Sequence, residues 1–284
     1  MTKPFLLLQS RPEDEASDNE YQAFLQFGGL TPAELERVRI EAEQRPAQSL
    51  AAYSGVLMGG GPANFAYRPE EKSAEQRAFE AVMMPLLREI IAHDVPFLGA
   101  CLGVGALVSA LGGTPSFAYG EAIGAVPITL TPAARDDPLL TDLPTTFDGF
   151  VGHKEGVLEP PAACTVLARS RTCVQMLRVG RNVYATQFHP ELDPESLALR
   201  ATVLRTKLIL SLPMPASKLS PSQLKSCASL CSATSSKSPR LDFTHLPLAI
   251  LILPSSYEWP TYSLYRPLRV GGKLAHVAHV LFTK

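Results

Sequence analysis

Apolar runs alternate with amphipathic segments along the first part of the chain. Short continuous apolar runs bounded by turn residues are typical of strands that are buried on both faces. Three such runs predict strands: PFLLLQS (4–10), YSGVLM (53–58) and VPFLGA (95–100). Each is followed by a segment with apolar residues at helical spacing, which predicts a helix: DNEYQAFLQFGGL (18–30), SAEQRAFEAVMMPLLREIIAHD (73–94) and LGVGALVSALGG (102–113).

Capping and breaking residues mark the ends of these predicted helices. Asp18 or Asn19 can cap the first helix, and two glycines end it. Ser73 and Gln76 form the Ser-x-x-Gln pattern of a capping box at the start of the second helix. Pro85 lies inside that helix and predicts a kink there.

The pattern changes after the third helix, where short β-rich segments follow one another with turns between them. They are AIGAVPITLT (122–131), TVLARS (165–170), CVQMLRVG (173–180) and NVYATQFH (182–189). The repeated alternation of strand and helix before them predicts an α/β fold with a mostly parallel sheet and helices on both faces. In such folds the functional site lies at the carboxyl ends of the strands.

Charge and composition divide the chain near residue 200. Residues 1–200 hold 25 Asp and Glu against 16 Lys and Arg, whereas residues 201–284 hold 2 against 10. The second region also contains 13 serines and 8 prolines, a composition that resists regular structure. We therefore predict one domain over residues 1–200. Residues 201–284 are predicted to be an irregular basic tail, either disordered or a non-native extension from a shifted reading frame.

Whole-chain properties argue against several classes of protein. The formal net charge of −1 gives no reason to expect binding to nucleic acid or an anionic membrane. No segment reaches the ~18 apolar residues of a membrane helix, and the first apolar run is too short for a signal peptide. Five cysteines, an odd number without framework spacing, favour reduced thiols and a cytoplasmic location. Cys227 and Cys231 lack further ligands nearby, so we expect no metal and no cofactor.

The segment GACLG places Cys101 between a predicted strand and a predicted helix. Gly99 and Gly103 lack Cβ atoms, which allows the close approach of a sharp turn. Hydrolase nucleophiles stand on such turns, and a helix N-terminus favours a thiolate. The N–H of Leu102 would then donate to an oxyanion. The alternative is a buried structural cysteine, and the turn alone does not decide between the two.

The segment QFHPE supplies the other groups that a thiolate nucleophile requires. A departing amine needs a proton donor, which is usually a histidine oriented by a carboxylate. His189 and Glu191 are two residues apart and share a face of an extended segment, and Pro190 restricts His189 to extended dihedrals. Alone, this tripeptide is better explained as an accidental loop sequence. With GACLG upstream and a predicted strand directly before it, the segment predicts a Cys-His-Glu arrangement.

The segment LMGGGPAN (57–64) follows a predicted strand and is a second candidate source of oxyanion donors. Consecutive glycines let a backbone N–H face a site without interference from side chains. No Gly-Lys-Ser/Thr follows, which argues against a phosphate loop. A plain turn is the alternative, and we favour Gly60 or Gly61 as the donor.

The motifs GGGP, GACLG and QFHPE, in this order, resemble those of class I glutamine amidotransferases, above all the glutaminase domain of GMP synthase, over about residues 4–200. The resemblance implies a flavodoxin-like open α/β sheet. It implies that Cys101 attacks the glutamine carboxamide to give a γ-glutamyl thioester and ammonia, with His189 as general base and acid and Glu191 as its orienting carboxylate. The N–H groups of Leu102 and Gly61 would stabilise the oxyanion.

Other positions are assigned to the substrate pocket by the same resemblance. The segment GFVGHKEGV (149–157) is similar to the part of the family that lines the glutamine pocket, so His153 is expected to be structural or substrate-lining rather than catalytic. Gly103 and Gly105 are expected to line the substrate. The family usually has glutamine where this chain has Gly105. Either glutamine binds differently here or another γ-glutamyl amide is the substrate.

Three functions follow from these residues. The leading hypothesis is a glutaminase that passes ammonia to a separate acceptor synthase, since no synthetase motif is visible in the chain. The second is a stand-alone γ-glutamyl or amide hydrolase with the same three residues. The third is a catalytically silent regulatory domain of the same fold.

Overall fold

The computed structural model describes residues 3–42, 44–141 and 143–210. Within these ranges nine strands belong to a single sheet. They are β1 (Phe5–Gln9), β2 (Leu35–Arg39), β3 (Gly55–Met58), β4 (Phe97–Ala100), β5 (Glu121–Leu130), β6 (Thr146–His153), β7 (Cys164–Arg169), β8 (Val174–Val179) and β9 (Val183–Thr186). The α-helices are α1 (Asp14–Gly28), α2 (Ala74–Ala92), α3 (Leu102–Ala110) and α4 (Pro194–Leu210).

The sheet has the order β2-β1-β3-β4-β9-β8-β7-β5-β6. The first five strands in this order are mutually parallel, and each later pair is antiparallel, so β8 and β5 run against the rest. The predicted mostly parallel sheet is confirmed. The antiparallel part is built from the β-rich segments that follow α3, where connections without helices allow neighbouring strands to reverse.

Both faces of the sheet are covered, as predicted. Side chains alternate along β1: Leu6 and Leu8 pack with the apolar residues of α2 and α3, whereas Phe5 and Leu7 pack on the other face with Phe24 of α1. This alternation follows from the two-residue period of a strand. A strand buried on both faces needs an unbroken apolar run, which is why these strands are recognisable in the sequence.

The predicted helix ends are confirmed at some positions and wrong at others. Gly29 ends α1 with φ 60°, as expected for the glycine stop. The helix begins at Asp14, before the predicted start at Asp18. Asp14 and Glu15 lie in its first turn, where acidic residues are favoured. Pro85 lies inside α2 without ending that helix.

One half of the predicted capping box is present at the start of α2. Ser73 Oγ accepts a hydrogen bond from the backbone N–H of Gln76 at 3.1 Å. The side chain of Gln76 donates instead to the carbonyl of Asn64 at 2.7 Å, which ties α2 to the segment after the glycine loop.

Strands β2 and β6, at the two edges of the sheet, were not predicted. β2 (LERVR) carries charged side chains, and Arg37 and Arg39 form ion pairs with Asp18 and Asp14 of α1. Edge strands are often polar because one side is open, so β2 lacks the apolar run that marks the central strands.

The predicted domain boundary at residue 200 lies inside α4, which continues to Leu210. Residues 211–284 lie outside the described residues, so the proposed basic tail stays a prediction. Among the helices of the described ranges, none has the length and apolar character needed to cross a membrane.

Candidate active site

Cys101 lies in the sharp turn between β4 and α3. Its backbone has φ 55° and ψ −82°, a conformation that is uncommon for a residue with a side chain and that is retained where the surrounding structure enforces it. Its N–H donates to the carbonyl of Thr186 at 2.7 Å. A Cβ on Gly99 would lie 2.9 Å from Gly103 Cα, so the close approach expected of this turn is present.

The turn places Cys101 directly before the first residue of α3. Leu102, that first residue, is buried, and its N–H belongs to the first helical turn, where backbone donors have no acceptor within the helix. The helix N-terminus therefore offers positive potential to the Cys101 sulfur. The donor role of Leu102 stays a prediction.

Strand pairing brings the histidine segment to the cysteine. β4 and β9 are parallel neighbours with Ala100 opposite Thr186, so the residues after both strands leave the sheet at the same edge. His189 is held there by its N–H, which donates to the carbonyl of Phe150 at 2.9 Å. His189 lies close enough to Cys101 for the cysteine to raise the pKa of the imidazole.

His189 lies between the cysteine and a buried carboxylate. Its Nδ1 is 2.8 Å from Oε1 of Glu191, whose side chain is fully buried. Because a carboxylate oxygen accepts, Nδ1 carries the proton, and Nε2 is left to face the nucleophile. The three predicted residues are thus brought together in the order Cys101, His189, Glu191.

Electrostatics favour the charged forms of the histidine and the carboxylate. Burial lowers the pKa of His189, but the charge of Glu191 and hydrogen bonds to Cys101 and Glu191 outweigh burial and raise that pKa to about 9. Burial raises the pKa of Glu191, but the charges of His189 and Arg200 hold it well below its usual range. At neutral pH His189 is therefore an imidazolium paired with a carboxylate.

The glycine loop after β3 corrects one of the predictions. The N–H of Gly60 donates to Oε1 of Glu20 at 3.1 Å, so it is not free to donate to an oxyanion. Gly61 lies against Leu102: a Cβ at Gly61 would be 3.1 Å from Leu102 Cδ2 and would overlap Ser10 Oγ. The donor role of Gly61 stays a prediction.

Gln187 and Arg200 also contact the candidate site, and neither was predicted from the sequence. Nε2 of Gln187 lies 3.4 Å from the carbonyl oxygen and 3.7 Å from Sγ of Cys101. Its position in QFHPE, two residues before His189, was a usable signal. Arg200 of α4 donates from Nη1 to Glu191 Oε1 at 2.8 Å. A single arginine on a helix carries no such signal.

Gly105 and Gly103, the two glycines predicted to line the substrate, have different neighbours. A Cβ at Gly105, one turn after Cys101, would lie 2.6 Å from Oε1 of Glu155, so that carboxylate occupies the space where a side chain at 105 would begin. Glu155 is buried and accepts from the N–H groups of Phe65 (3.0 Å) and Ala66 (2.7 Å). A Cβ at Gly103 would meet Ala185 of β9 at 3.7 Å. Gly103 thus faces β9 where the helix packs on the sheet, and its assignment to the substrate pocket stays a prediction.

His153 is committed to the fold through both ring nitrogens. Nδ1 donates to the carbonyl of Glu155 at 2.7 Å, and Nε2 is 3.0 Å from Oε2 of Glu121. Burial lowers the pKa of His153. These contacts support the structural role rather than a polar contact with substrate, and they fix the backbone next to Glu155.

Among the described residues, Glu121, His153 and Cys173 form a group whose ligand atoms lie within 4.8 Å of one another. Residues of these types can bind a metal ion such as Zn²⁺. In the structure Glu121 instead accepts hydrogen bonds from Ser170 Oγ (2.9 Å) and Gln175 Nε2 (2.6 Å). Burial raises the pKa of Cys173 to about 12, which keeps its thiol protonated. The group is a closed hydrogen-bonded cluster.

Comparison with known proteins supports the resemblance of the motifs. The family model described as glutamine amidotransferase class-I matches residues 16–204. The glutamine-hydrolysing GMP synthase of Nitratidesulfovibrio vulgaris is 33% identical over 162 residues, which are 56% of this chain and 28% of that protein. A glutamine-hydrolysing GMP synthase subunit of Halobacterium salinarum is 33% identical over 106 residues, 37% of this chain and 57% of that protein. The chain thus spans about a quarter to just over half the length of these relatives.

Solved structures show the same fold. A glutamine amidotransferase from Thermotoga maritima superposes with a TM-score of 0.59 at 18% identity, covering 82% of this chain and 97% of that one. A glutamine amidotransferase from Methylobacillus flagellatus gives a TM-score of 0.58 at 20% identity, covering 82% and 92%. The flavodoxin-like architecture expected from the motifs is confirmed. With a family match over most of the described residues, this chain belongs to the class I glutamine amidotransferase family.

Proposed function

We propose that this chain is a glutaminase: it hydrolyses the carboxamide of glutamine at Cys101 and passes the ammonia to a separate acceptor. The observation that carries the proposal is the hydrogen bond between His189 and the buried carboxylate of Glu191, beside Cys101 at the edge where β4 and β9 end. In this arrangement a sulfur nucleophile, a proton carrier and an orienting carboxylate meet at one point.

The proposed reaction has two halves. In the first, the Cys101 thiolate attacks the carboxamide carbon, and the new oxyanion is stabilised by the N–H groups of Leu102 and Gly61. The imidazolium of His189 then gives its proton to the nitrogen, the C–N bond breaks, and ammonia leaves a γ-glutamyl thioester. In the second half, His189 takes a proton from water as the water attacks the thioester. The C–S bond breaks, which releases glutamate and restores the thiolate.

The protonation state of His189 suits this sequence of steps. A pKa raised to about 9 keeps the imidazole protonated at neutral pH, ready to donate to the leaving nitrogen. Glu191 stabilises that imidazolium and fixes its orientation, as the carboxylate of a catalytic triad does.

The proposed acceptor of ammonia is a synthase on another polypeptide or another part of the protein. The relatives are named GMP synthase, and this chain matches only part of their length. We propose no nucleic-acid or membrane partner. We propose a reducing compartment, the cytoplasm, because Cys101, Cys164 and Cys173 are free thiols and the mechanism requires a reduced Cys101.

An electrophilic glutamine analogue tests the proposal directly. The full chain is incubated with the analogue and analysed by peptide mass spectrometry, and ammonia release from glutamine is measured in parallel. We expect one adduct, on Cys101, which disappears in Cys101→Ser and persists in Cys164→Ser, a control at a partly buried cysteine outside the site. Folded protein without an adduct would instead support the catalytically silent domain.

The second candidate function, a hydrolase of another γ-glutamyl amide, is favoured by one observation. The Glu155 carboxylate lies beside Gly105, where the family usually has a glutamine side chain. A carboxylate in place of a carboxamide changes which substrate groups can be bound there. Comparing kcat/KM for glutamine with that for γ-glutamyl amides bearing larger leaving amines separates the two functions. A higher value for the substituted amides would select the second.

A further inference from the structure

Glu20 of α1 lies directly beneath the glycine loop. Its side chain is fully buried, and its Oε1 accepts the N–H of Gly60 at 3.1 Å. A Cβ on Gly59 would overlap the carboxylate, so the loop rests on Glu20 without a gap. Its other oxygen, Oε2, accepts from Gln9 Nε2 at 3.1 Å. The position of the loop is therefore set by a side chain 40 residues away in sequence.

Arg200 of α4 lies beneath Glu191, as Glu20 lies beneath the glycine loop. Its Nη1 donates to Glu191 Oε1 at 2.8 Å and lies 3.8 Å from Glu20 Oε1. Its Nε donates to Asn19 Oδ1 at 3.1 Å, which anchors the guanidinium to α1. One buried arginine thus connects the carboxylate that holds the histidine to the carboxylate that holds the glycine loop.

Arg11, which follows β1, completes this network with an ion pair from Nε to Glu20 Oε1 at 2.8 Å. A Cβ on Gly60 would lie 2.7 Å from both Arg11 Nη2 and His189 Cε1, so the loop passes between the two side chains. Cations and carboxylates therefore alternate from Arg11 through Glu20, Arg200 and Glu191 to His189. Buried charges are costly unless paired, and the alternation gives each carboxylate a cationic partner.

We propose that Glu20 and Arg200 are positioning residues for the reaction: Arg200 holds Glu191 in place and ionised, Glu20 holds the glycine loop, and their contact fixes the two halves of the site relative to each other. Neither residue belongs to GGGP, GACLG or QFHPE. The inference rests on the proposed function. Because a displacement of about 1 Å can lower a rate by on the order of 10²-fold, a contact that fixes the loop relative to His189 and Glu191 affects the rate.

Replacement of Arg200 tests the first half of the proposal. Arg200→Met keeps much of the side-chain volume but removes one of the two positive charges, beside that of His189, that lower the pKa of Glu191. We expect the acidic limb of the kcat/KM profile to move to higher pH, and kcat/KM at pH 7 to fall on the order of 10²-fold. Arg200→Lys should restore part of both. The matched control is Arg178→Met on β8, which breaks the pair of Arg178 with buried Asp137 and should leave the limb in place.

Replacement of Glu20 tests the second half. Glu20→Gln keeps an oxygen that can accept the Gly60 N–H, whereas Glu20→Ala removes it. We expect kcat to fall more in Glu20→Ala than in Glu20→Gln, with KM changed little in both, because an oxyanion donor acts in the transition state. Equal losses in the two variants, or a change confined to KM, would overturn the role of Glu20.

A measurement without substrate separates this inference from the proposed function. In the full chain the Nδ1 proton of His189, bonded to Glu191, is followed by NMR during acidification, and the change in its chemical shift reports protonation of Glu191. We expect the midpoint to lie at higher pH in Arg200→Met than in the parent and the Arg178→Met control. An unchanged midpoint overturns the inference even if Cys101 reacts with the analogue. If Arg200→Met does not fold, Arg200→Gln, which also removes the charge but keeps a hydrogen-bond donor, supplies the same comparison.

Discussion

The charge on His189 results from two opposing effects at a single residue. Burial disfavours the imidazolium, whereas Glu191, 2.8 Å away, favours it more strongly. The pKa therefore ends above the usual value of about 6.5. A carboxylate two residues along the chain is close enough to reverse the effect of burial, so the HPE segment contains both the acid–base group and the cause of its altered pKa.

Removal of the Glu191 charge should lower the pKa of His189. In Glu191→Gln the burial penalty is no longer opposed by a carboxylate, so we expect the pKa to fall from about 9 to below the usual range of histidine. NMR titration of isotope-labelled histidine measures it. The pKa of His153, whose ring contacts Glu121 and on which the charge of His189 is the smallest influence, should change less. A His189 pKa unchanged by the substitution would contradict the assignment of Glu191.

The raised pKa of His189 also predicts how stability depends on pH. A histidine with a folded pKa above its unfolded one stabilises the protein fully below about 6.5, and the contribution is lost as pH rises through about 9. We therefore expect the free energy of unfolding to fall between about pH 6.5 and 9. Urea denaturation should show a smaller fall when Glu191→Gln is added, and an equal fall would contradict the linkage.

The contact between Gly105 and Glu155 predicts a measurable steric conflict. Gly→Ala inside a helix ordinarily stabilises by roughly 0.5–1 kcal/mol. At position 105, however, the new Cβ would lie 2.6 Å from Glu155 Oε1, and we expect a net loss of about 1–3 kcal/mol. Gly103→Ala, where a Cβ meets Ala185 at an ordinary 3.7 Å, is the matched control. In a double-mutant cycle Glu155→Ala should relieve the cost of Gly105→Ala, and additivity would refute the conflict.

At the scale of elements, strand ends and helix starts create the candidate site. Three strands that lie side by side, β3, β4 and β9, end at one edge of the sheet, and they are followed by the glycine loop, Cys101 and the His189 segment. Helices α1 and α4 then bring Glu20 and Arg200 under these segments. The strands with clear apolar patterns carry the reactive groups just after their ends, and α1 and α4 contribute the side chains that contact these groups.

The cap of α2 gives a prediction about an element outside the candidate site. Ser73 Oγ is the acceptor for the Gln76 N–H. We expect Ser73→Ala to lower the free energy of unfolding by about 1 kcal/mol, because the donor loses its partner. Ser73→Asp, which keeps an acceptor, should lose little. Urea denaturation measures both, and equal stability of Ser73→Ala and the parent would show that the cap contributes nothing.

At the scale of the whole molecule, the family match ends at residue 204 and α4 ends at Leu210. The residues that build the site all lie before that point. We therefore expect a chain that ends at 210 to keep the melting temperature and the Cys101 adduct of the full chain. Loss of folding or labelling on truncation would show that residues 211–284 contribute to the domain, contrary to the predicted tail.

Local patterns in the sequence were sufficient for the central strands and the main helices. These depend on short-range rules: apolar runs for strands buried on both faces and capping residues at helix ends. The Cys-His-Glu arrangement stays a prediction from the motifs, and the short spacing of His189 and Glu191 allows the contact between their side chains. The edge strands β2 and β6 were missed because strands at the edge of a sheet need no continuous apolar run.

The sequence by itself determined the fold class and the residues with reactive groups, because both follow from spacing along the chain. Only the tertiary structure decided that Gly60 donates to Glu20, that Gly105 faces Glu155, and that Arg200 bridges two carboxylates. Apart from the pair of Arg200 with Glu191, these contacts join residues that are far apart in the chain. Pairing of buried charges and exclusion of overlapping atoms act through space, so they leave no periodic pattern in the sequence.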